Sequence, residues 1–235
     1  MFVIIDLGTA RRILPNVSVP SRSYIRYSEY ENLQVSSPRE NVLHVLLNRP
    51  SKRNALSMES FAELNDFFLK AADDSQCRAI VLSGSGKMFC AGIDFTSLME
   101  SFGSVLNADA EEGKRNDIAG KAKFIGQKIK LLQASNNAIA ACPKPVIASV
   151  HSGCIGAGLD MISACDVRYC SEDAYFSIRE VTIGMVADLG TMQRLPKIIG
   201  NDGLAREMAF TGEDLPAKDA KDVSFRLNFN NVLSS

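Results

Sequence analysis

Pro145-Val146-Ile147-Ala148, the glycine turn Gly153-Cys154-Ile155-Gly156-Ala157-Gly158 with Leu159-Asp160 behind it, and then Val167-Arg168-Tyr169 decide the fold class. A short apolar strand runs into a glycine turn that opens a helix, and a second strand follows within ten residues. Working outward, Tyr175–Ile178 reads as the partner of Val167–Tyr169. Upstream, Ala79–Leu82 is another short apolar strand, ended by Ser83-Gly84-Ser85-Gly86. Ser57 is placed to cap a helix whose apolar face is Phe61, Leu64, Phe68 and Ala71. Val42–Leu47 reads as a buried strand closed by Arg49-Pro50. Tyr24–Val35 reads as an earlier strand, turned by Ser36-Ser37-Pro38. Ile118, Ala122, Ile125, Ile129 and Leu132 form a helical stripe, expected to pack into the core. Alternating strands and helices define an α/β protein with helices covering a sheet.

Composition narrows the function classes. The chain has 235 residues, 46% hydrophobic, with 26 Lys+Arg against 27 Asp+Glu and a net charge of −1. That balance gives no compositional case for nucleic acid or an anionic membrane as partner. No apolar run reaches the length of a membrane span. Cys77, Cys90, Cys142, Cys154, Cys165 and Cys170 contain no CxxC pair, and His44 and His151 are the only histidines, so neither a zinc site nor another metal site is expected. Free thiols in a reducing compartment are the expectation. Residues 1–23, with Pro15, Pro20 and scattered arginines and serines, read as a loose leader with a faint mitochondrial character.

Several residues could carry chemistry. The Gly153–Gly158 turn lacks the Lys-Ser/Thr of a P-loop and the spacing of a dinucleotide fingerprint. It can still end a strand and open a helix with N–H groups exposed, which suits a developing oxyanion. Phe89-Cys90-Ala91-Gly92-Ile93-Asp94 is a second such turn, with Asp94 a natural cap for the segment after it. Three acids lie in apolar surroundings: Asp160, Glu180 and Asp188. Burial would raise their pKa values and fit them for acid–base work. The same residues also read plainly as a first-turn helix acid, a solvated loop acid, and the N-cap of a helix through Arg194.

The motifs together resemble the crotonase (enoyl-CoA hydratase/isomerase) superfamily. They are Asn48-Arg49-Pro50, Asn54-Ala55-Leu56, Met88 to Asp94, Pro143 to Ala148, Gly153 to Asp160 and Cys165 to Tyr169. Glu180-Val181 together with Ala187-Asp188-Leu189-Gly190-Thr191 and Gln193-Arg194-Leu195-Pro196 resembles its dienoyl-CoA isomerase branch. The resemblance implies a ββα spiral core over residues 24–222. It also implies a homo-oligomer, trimer or hexamer, and an acyl-CoA thioester as substrate, with no cofactor beyond the CoA of that substrate. The N–H groups of Ile93 and Ala157 would hold the thioester oxygen. Ala91, Gly92, Ile93, Asp94, Phe95 and Ala157 would line the acyl pocket, and Lys52, Arg53 and Ala55 would lie near CoA.

The implied reaction moves the double bonds of a 3,5-dienoyl-CoA to the 2,4 positions in fatty-acid β-oxidation. Glu180 is assigned to carbon two and Asp188 to carbon six, with the reverse open, and Asp160 is a third carboxyl of the pocket. Within the family, an enoyl-CoA hydratase is the rival, because hydratases place glutamates at the positions of Asp160 and Glu180. The location implied is mitochondrial or peroxisomal. Ala157 replaces a glycine usual in its turn, so its N–H serves only if its φ is negative. Residues 223–235, with Phe225, Leu227 and Phe229 alternating, do not resemble the family. The chain therefore reads as lacking the C-terminal helical region. A catalytically silent member joining hetero-oligomers is the alternative that this ending raises.

Overall fold

A computed structural model describes residues 2–4, 27, 30–106 and 118–223. The larger of two sheets has the order β1-β7-β5-β4-β3-β2. Its strands are β1 (Phe2–Ile4), β2 (Leu33–Arg39), β3 (Val42–Leu47), β4 (Ala79–Gly84), β5 (Val146–Val150) and β7 (Val167–Cys170). Neighbours are parallel except β2 and β3, which form a hairpin. The smaller sheet joins β6 (Gly153–Ile155), β8 (Tyr175–Ser177) and β9 (Asp214–Pro216). The helices are α1 (Met58–Asp73), α2 (Phe95–Leu106), α3 (Ile118–Ala141), α4 (Ala157–Ser163), α5 (Thr191–Ile199), α6 (Asp202–Thr211) and α7 (Ala217–Val223).

The spiral is visible in the path of the chain. It lays β5 in the large sheet and β6 in the small one, then α4, and repeats with β7 and β8. Parallel neighbours require such crossovers, because a tight hairpin cannot return a strand in the same direction. Val45, Ile80, Leu82, Val146 and Ala148 are fully buried along one face of the large sheet. The expected face of α1 (Phe61, Leu64, Phe68 and Ala71) is buried in the same core. Ser57 caps α1 as the sequence predicts, its side chain accepting from the Ser60 N–H.

Several elements differ from the sequence reading. Ser36-Ser37-Pro38 lies inside β2, where the ladder shifts register, and the hairpin turns at Glu40-Asn41 instead. Asn41 takes φ 62°, the left-handed conformation such a turn demands. Ser83 and Gly84 extend β4 rather than ending it. Val167–Tyr169 and Tyr175–Ile178 do not pair: their strands lie in different sheets, the first beside β5 and the second beside β6. Within the segment read as a leader, Phe2–Ile4 adds a parallel edge strand to β7. The other leader residues, positions 24–26, 28 and 29 of the first strand reading, and the alternation of Phe225, Leu227 and Phe229 lie outside the described residues. Among the described residues, no helix is long and apolar enough to cross a membrane.

Candidate active site

Two turns meet to build the site. The Cys90 N–H donates to the Gly153 carbonyl at 3.1 Å, and the Ile155 N–H donates to the Cys90 carbonyl at 3.0 Å. This short ladder zips the 90–94 turn onto the 153–157 turn. Gly92, at φ 100°, lies so close that a Cβ would come within 3.3 Å of the Ile155 carbonyl oxygen. Gly156 takes the strained conformation at φ 52°, which leaves Ala157 free to start α4 with an ordinary negative φ. Among the described residues, neither the Ile93 nor the Ala157 N–H has an acceptor. Two unpaired donors therefore sit on adjoining turns, one of them at a helix start, where donors are left over by geometry.

These donors border a cavity of about 590 Å³. Ala91, Gly92, Ile93, Phe95 and Ala157 line it, joined by Leu98, Met99 and Phe102 of α2. The α3 stripe contributes Ile125, Ile129 and Leu132, so it walls a cavity and reaches the core only through Leu132. Only Leu132 of the stripe is buried, and Ile118 is 72% exposed. Helical periodicity reports an apolar face; it does not say whether protein or empty space lies against it.

Asp94 does not line the cavity. Its carboxylate pairs with Arg49 at 2.9 Å and caps α2 by accepting from the Ser97 N–H. Burial pulls its pKa upward, but the Arg49 guanidinium beside it holds the carboxyl below the usual range. Lys52 and Arg53 are exposed and lie outside the cavity wall. Their turn is tied to it, because the Ala91 N–H donates to the Arg53 carbonyl at 3.0 Å. Asn54 anchors that turn from within. It donates to the Ser85 and Met88 carbonyls and accepts from the Arg49 N–H.

The three acids separate by environment. Glu180 follows β8 and opens a short 3₁₀ turn, Glu180–Ile183. The neighbouring Arg179 is fixed by Asp214 at 2.8 Å and by the Gly212 carbonyl. The Glu180 carboxyl lies against the glycine turn: a Cβ on Gly156 would come within 3.1 Å of Oε1. Its Oε2 is buried without a partner. Burial, reinforced by the negative charge of Asp160, raises its pKa to about 7. Asp188 also lines the cavity, and burial raises its pKa. It is not the cap of α5, which begins at Thr191 with Gly190 before it.

Asp160 takes that role from a distance. It is fully buried in α4, and its Oδ1 accepts from the Thr191 N–H at 2.6 Å. Its Oδ2 has no partner, and burial pushes its pKa to about 6. Expected as a third carboxyl of the pocket, Asp160 lies behind the cavity wall instead. The sequence reading also missed Gln133 and Asn136 of α3, which donate to the Asp188 and Leu189 carbonyls. No periodic or motif signal marks them, because their partners lie more than 50 residues away. Among the described residues, no group of three His, Cys, Asp or Glu side chains converges as a metal would need.

Residues 37–225 match the enoyl-CoA hydratase/isomerase family. The mitochondrial Delta(3,5)-Delta(2,4)-dienoyl-CoA isomerase of Rattus norvegicus is 48% identical over 193 residues, covering 82% of this chain and 57% of that protein. The peroxisomal Delta(3,5)-Delta(2,4)-dienoyl-CoA isomerase of Arabidopsis thaliana is 43% identical, covering 83% of this chain and 68% of that protein. The crystal structure of enoyl-CoA hydratase from Bacillus anthracis superposes with a TM-score of 0.68 at 26% identity, covering 83% of this chain and 68% of that one. The chain thus spans little more than half the length of the rat relative.

Proposed function

This chain belongs to the enoyl-CoA hydratase/isomerase family and has its crotonase fold, and we propose that within that family it isomerises 3,5-dienoyl-CoA to 2,4-dienoyl-CoA. The observation that carries the reading is the pairing of Glu180 and Asp188 on the wall of one largely apolar cavity, beside two unpaired N–H donors. The identity to relatives named as dienoyl-CoA isomerases supports it.

The chemistry needs proton transfers and charge stabilisation only. A carboxylate takes a proton from carbon two, and the electron pair spreads onto the thioester oxygen on one side and through the diene to carbon six on the other. The Ile93 and Ala157 N–H groups hold that oxygen, and one such donor is worth about 3–4 kcal/mol in the transition state. A carboxylic acid then delivers a proton to carbon six, the double bonds settle at the 2,4 positions, and solvent resets both carboxyls. Glu180 is the group for carbon two, because it lies against Gly156, beside the Ala157 donor, and carbon two is one bond from the thioester carbon. Asp188 then serves carbon six. No redox step occurs, so the CoA of the substrate is the only cofactor-like group in the proposal.

The placement of Asp160 favours isomerisation over hydration. A hydratase needs two carboxylates on one water, and Asp160 instead spends an oxygen on Thr191 behind the wall. As part of the same reading, the chain works as a homo-oligomer in mitochondria or peroxisomes, the locations that its relatives' names carry. The test follows absorbance of the conjugated product from 3,5-dienoyl-CoA, with Glu180→Gln, Asp188→Asn and a 2-enoyl-CoA hydration assay alongside. Product formation lost in both variants supports the proposal. Hydration without isomerisation, or no product from the folded wild-type chain, rejects it.

A further inference from the structure

Asp188 lies in a segment with little regular structure. It runs from Gly184 at φ 72° to Gly190 at φ 132°, and residues 181–186 are exposed. Among the described residues, the N–H groups of 186–190 donate to no backbone carbonyl, so the segment does not hold a carboxyl in place by itself. Two side-chain amides on one face of α3 grip it instead, and a third holds the helix that follows. Gln133 Nε2 donates to the Asp188 carbonyl at 2.7 Å, and Asn136 Nδ2 donates to the Leu189 carbonyl at 3.0 Å. Asn137 Oδ1 accepts from Arg194 Nη2 at 2.9 Å, one turn into α5. Their spacing of three and four residues puts them side by side on the helix.

Asn136 is the more telling of the two amides. It is 1% exposed, and its Oδ1 has no partner. An unpaired buried oxygen is costly, so an apolar side chain of the same shape would serve packing better. The amide is explained by what its nitrogen holds. The same helix walls the cavity through Ile129 and Leu132. Wall and grip are therefore one rigid element.

We propose that Gln133 and Asn136 are positioning residues, whose side-chain amides hold the Asp188 and Leu189 carbonyls and so keep the Asp188 carboxyl at the cavity wall. The proposal rests on the isomerase reading for what Asp188 does, though not for whether it is held. Neither amide touches substrate; both act through the backbone. Losing them impairs the proton transfer at carbon six, while the half of the site made by Glu180 and the two N–H donors stays intact.

Gln133→Met and Asn136→Leu remove the donors at nearly constant size. Amide hydrogen exchange across residues 185–192 is compared with that of the rest of the chain. Alongside it, isomerisation of 3,5-dienoyl-CoA is measured separately from exchange of its carbon-two protons in deuterated water. The expected result is faster amide exchange confined to that segment. Isomerisation should fall on the order of ten- to a hundredfold, as for a displaced catalytic group, with carbon-two exchange nearly unchanged. Gln133→Asn, which keeps the amide with a shorter reach, should show an intermediate loss and serves if the apolar variants fold poorly. Unchanged amide exchange in the variants overturns the grip. Loosened amides with full isomerisation, or both reactions falling in parallel, overturn the positioning role. A wild-type chain that gives neither product nor carbon-two exchange fails the isomerase reading instead. The role in catalysis falls with it, and the amide exchange still decides the grip.

Discussion

Thr191 donates its backbone N–H to Asp160 Oδ1 across 2.6 Å, so a carboxyl buried in one helix caps the start of another 31 residues later. The cap lies directly after the Asp188 segment and fixes its far end. Asp160 Oδ2 stays unpaired in the interior. Burial raises the Asp160 pKa from 3.8 to about 6, so between those values the folded chain holds a proton that the unfolded chain releases. Stability therefore falls as pH climbs from about 4 to about 6 and then levels. Asp160→Asn keeps an acceptor for Thr191 and removes the titration, so its denaturation midpoint should lose this part of the pH dependence. Asp160→Leu strands the Thr191 N–H and should cost about 1–3 kcal/mol, read by urea denaturation at pH 7.

The Ala157 N–H can be removed with little damage to the fold. Proline is tolerated at the first position of a helix, where its missing N–H has no intrahelical partner. Ala157 holds that position in α4. Ala157→Pro should keep its circular dichroism and lower kcat on the order of 10²–10³-fold if the N–H stabilises the thioester oxygen. A loss below fivefold would remove Ala157 from that role.

If Glu180 and Asp188 form the acid–base pair proposed above, they work with one proton shared between them. Glu180 is raised to about 7 and Asp188 is raised from its usual value, each chiefly by burial. Below both values the pair carries two protons and has no base; above both it carries none and has no acid. The profile of kcat/KM against pH should be bell-shaped, with its alkaline limb near 7, whichever carboxyl serves which carbon. Activity that stays flat from pH 6 to 9 contradicts the shared-proton scheme.

Lys52 and Arg53 are exposed on a turn bonded to the cavity wall through Ala91. If they meet the phosphates of CoA, Lys52→Ala combined with Arg53→Ala should raise KM severalfold and leave kcat nearly unchanged. The KM difference should shrink as salt rises, because exposed charges are screened. Asn54→Ala gives a contrasting loss. It removes three hydrogen bonds that anchor the turn, so it should lower stability by about 2–4 kcal/mol as well as raise KM.

Local chemistry made much of the fold legible. β3 occupies Val42–Leu47 as read, because an apolar run bounded by Asn48-Arg49-Pro50 has few other solutions. Ser57 caps α1, and the apolar period of that helix faces the core, because both depend on residues within a few positions of one another. The glycine turns were also legible, since positive φ at Gly92 and Gly156 is a local demand. Pairings across long separations were not. Which sheet β8 joins, the Arg49 hold on Asp94 and the cap of Asp160 on Thr191 each depend on groups brought together only when the chain closes.

The same division runs through the site. The sequence alone determined the α/β class, the family resemblance and the three acids, because residue type and order carry them. Only the tertiary structure decided that Glu180 and Asp188 face one cavity while Asp160 turns away to hold a helix. It also decided that the α3 stripe walls empty space and that Gln133 and Asn136 grip the Asp188 segment. The physical reason is that a carboxyl's role depends on burial, partners and neighbouring charge, and the packing of distant segments sets all three.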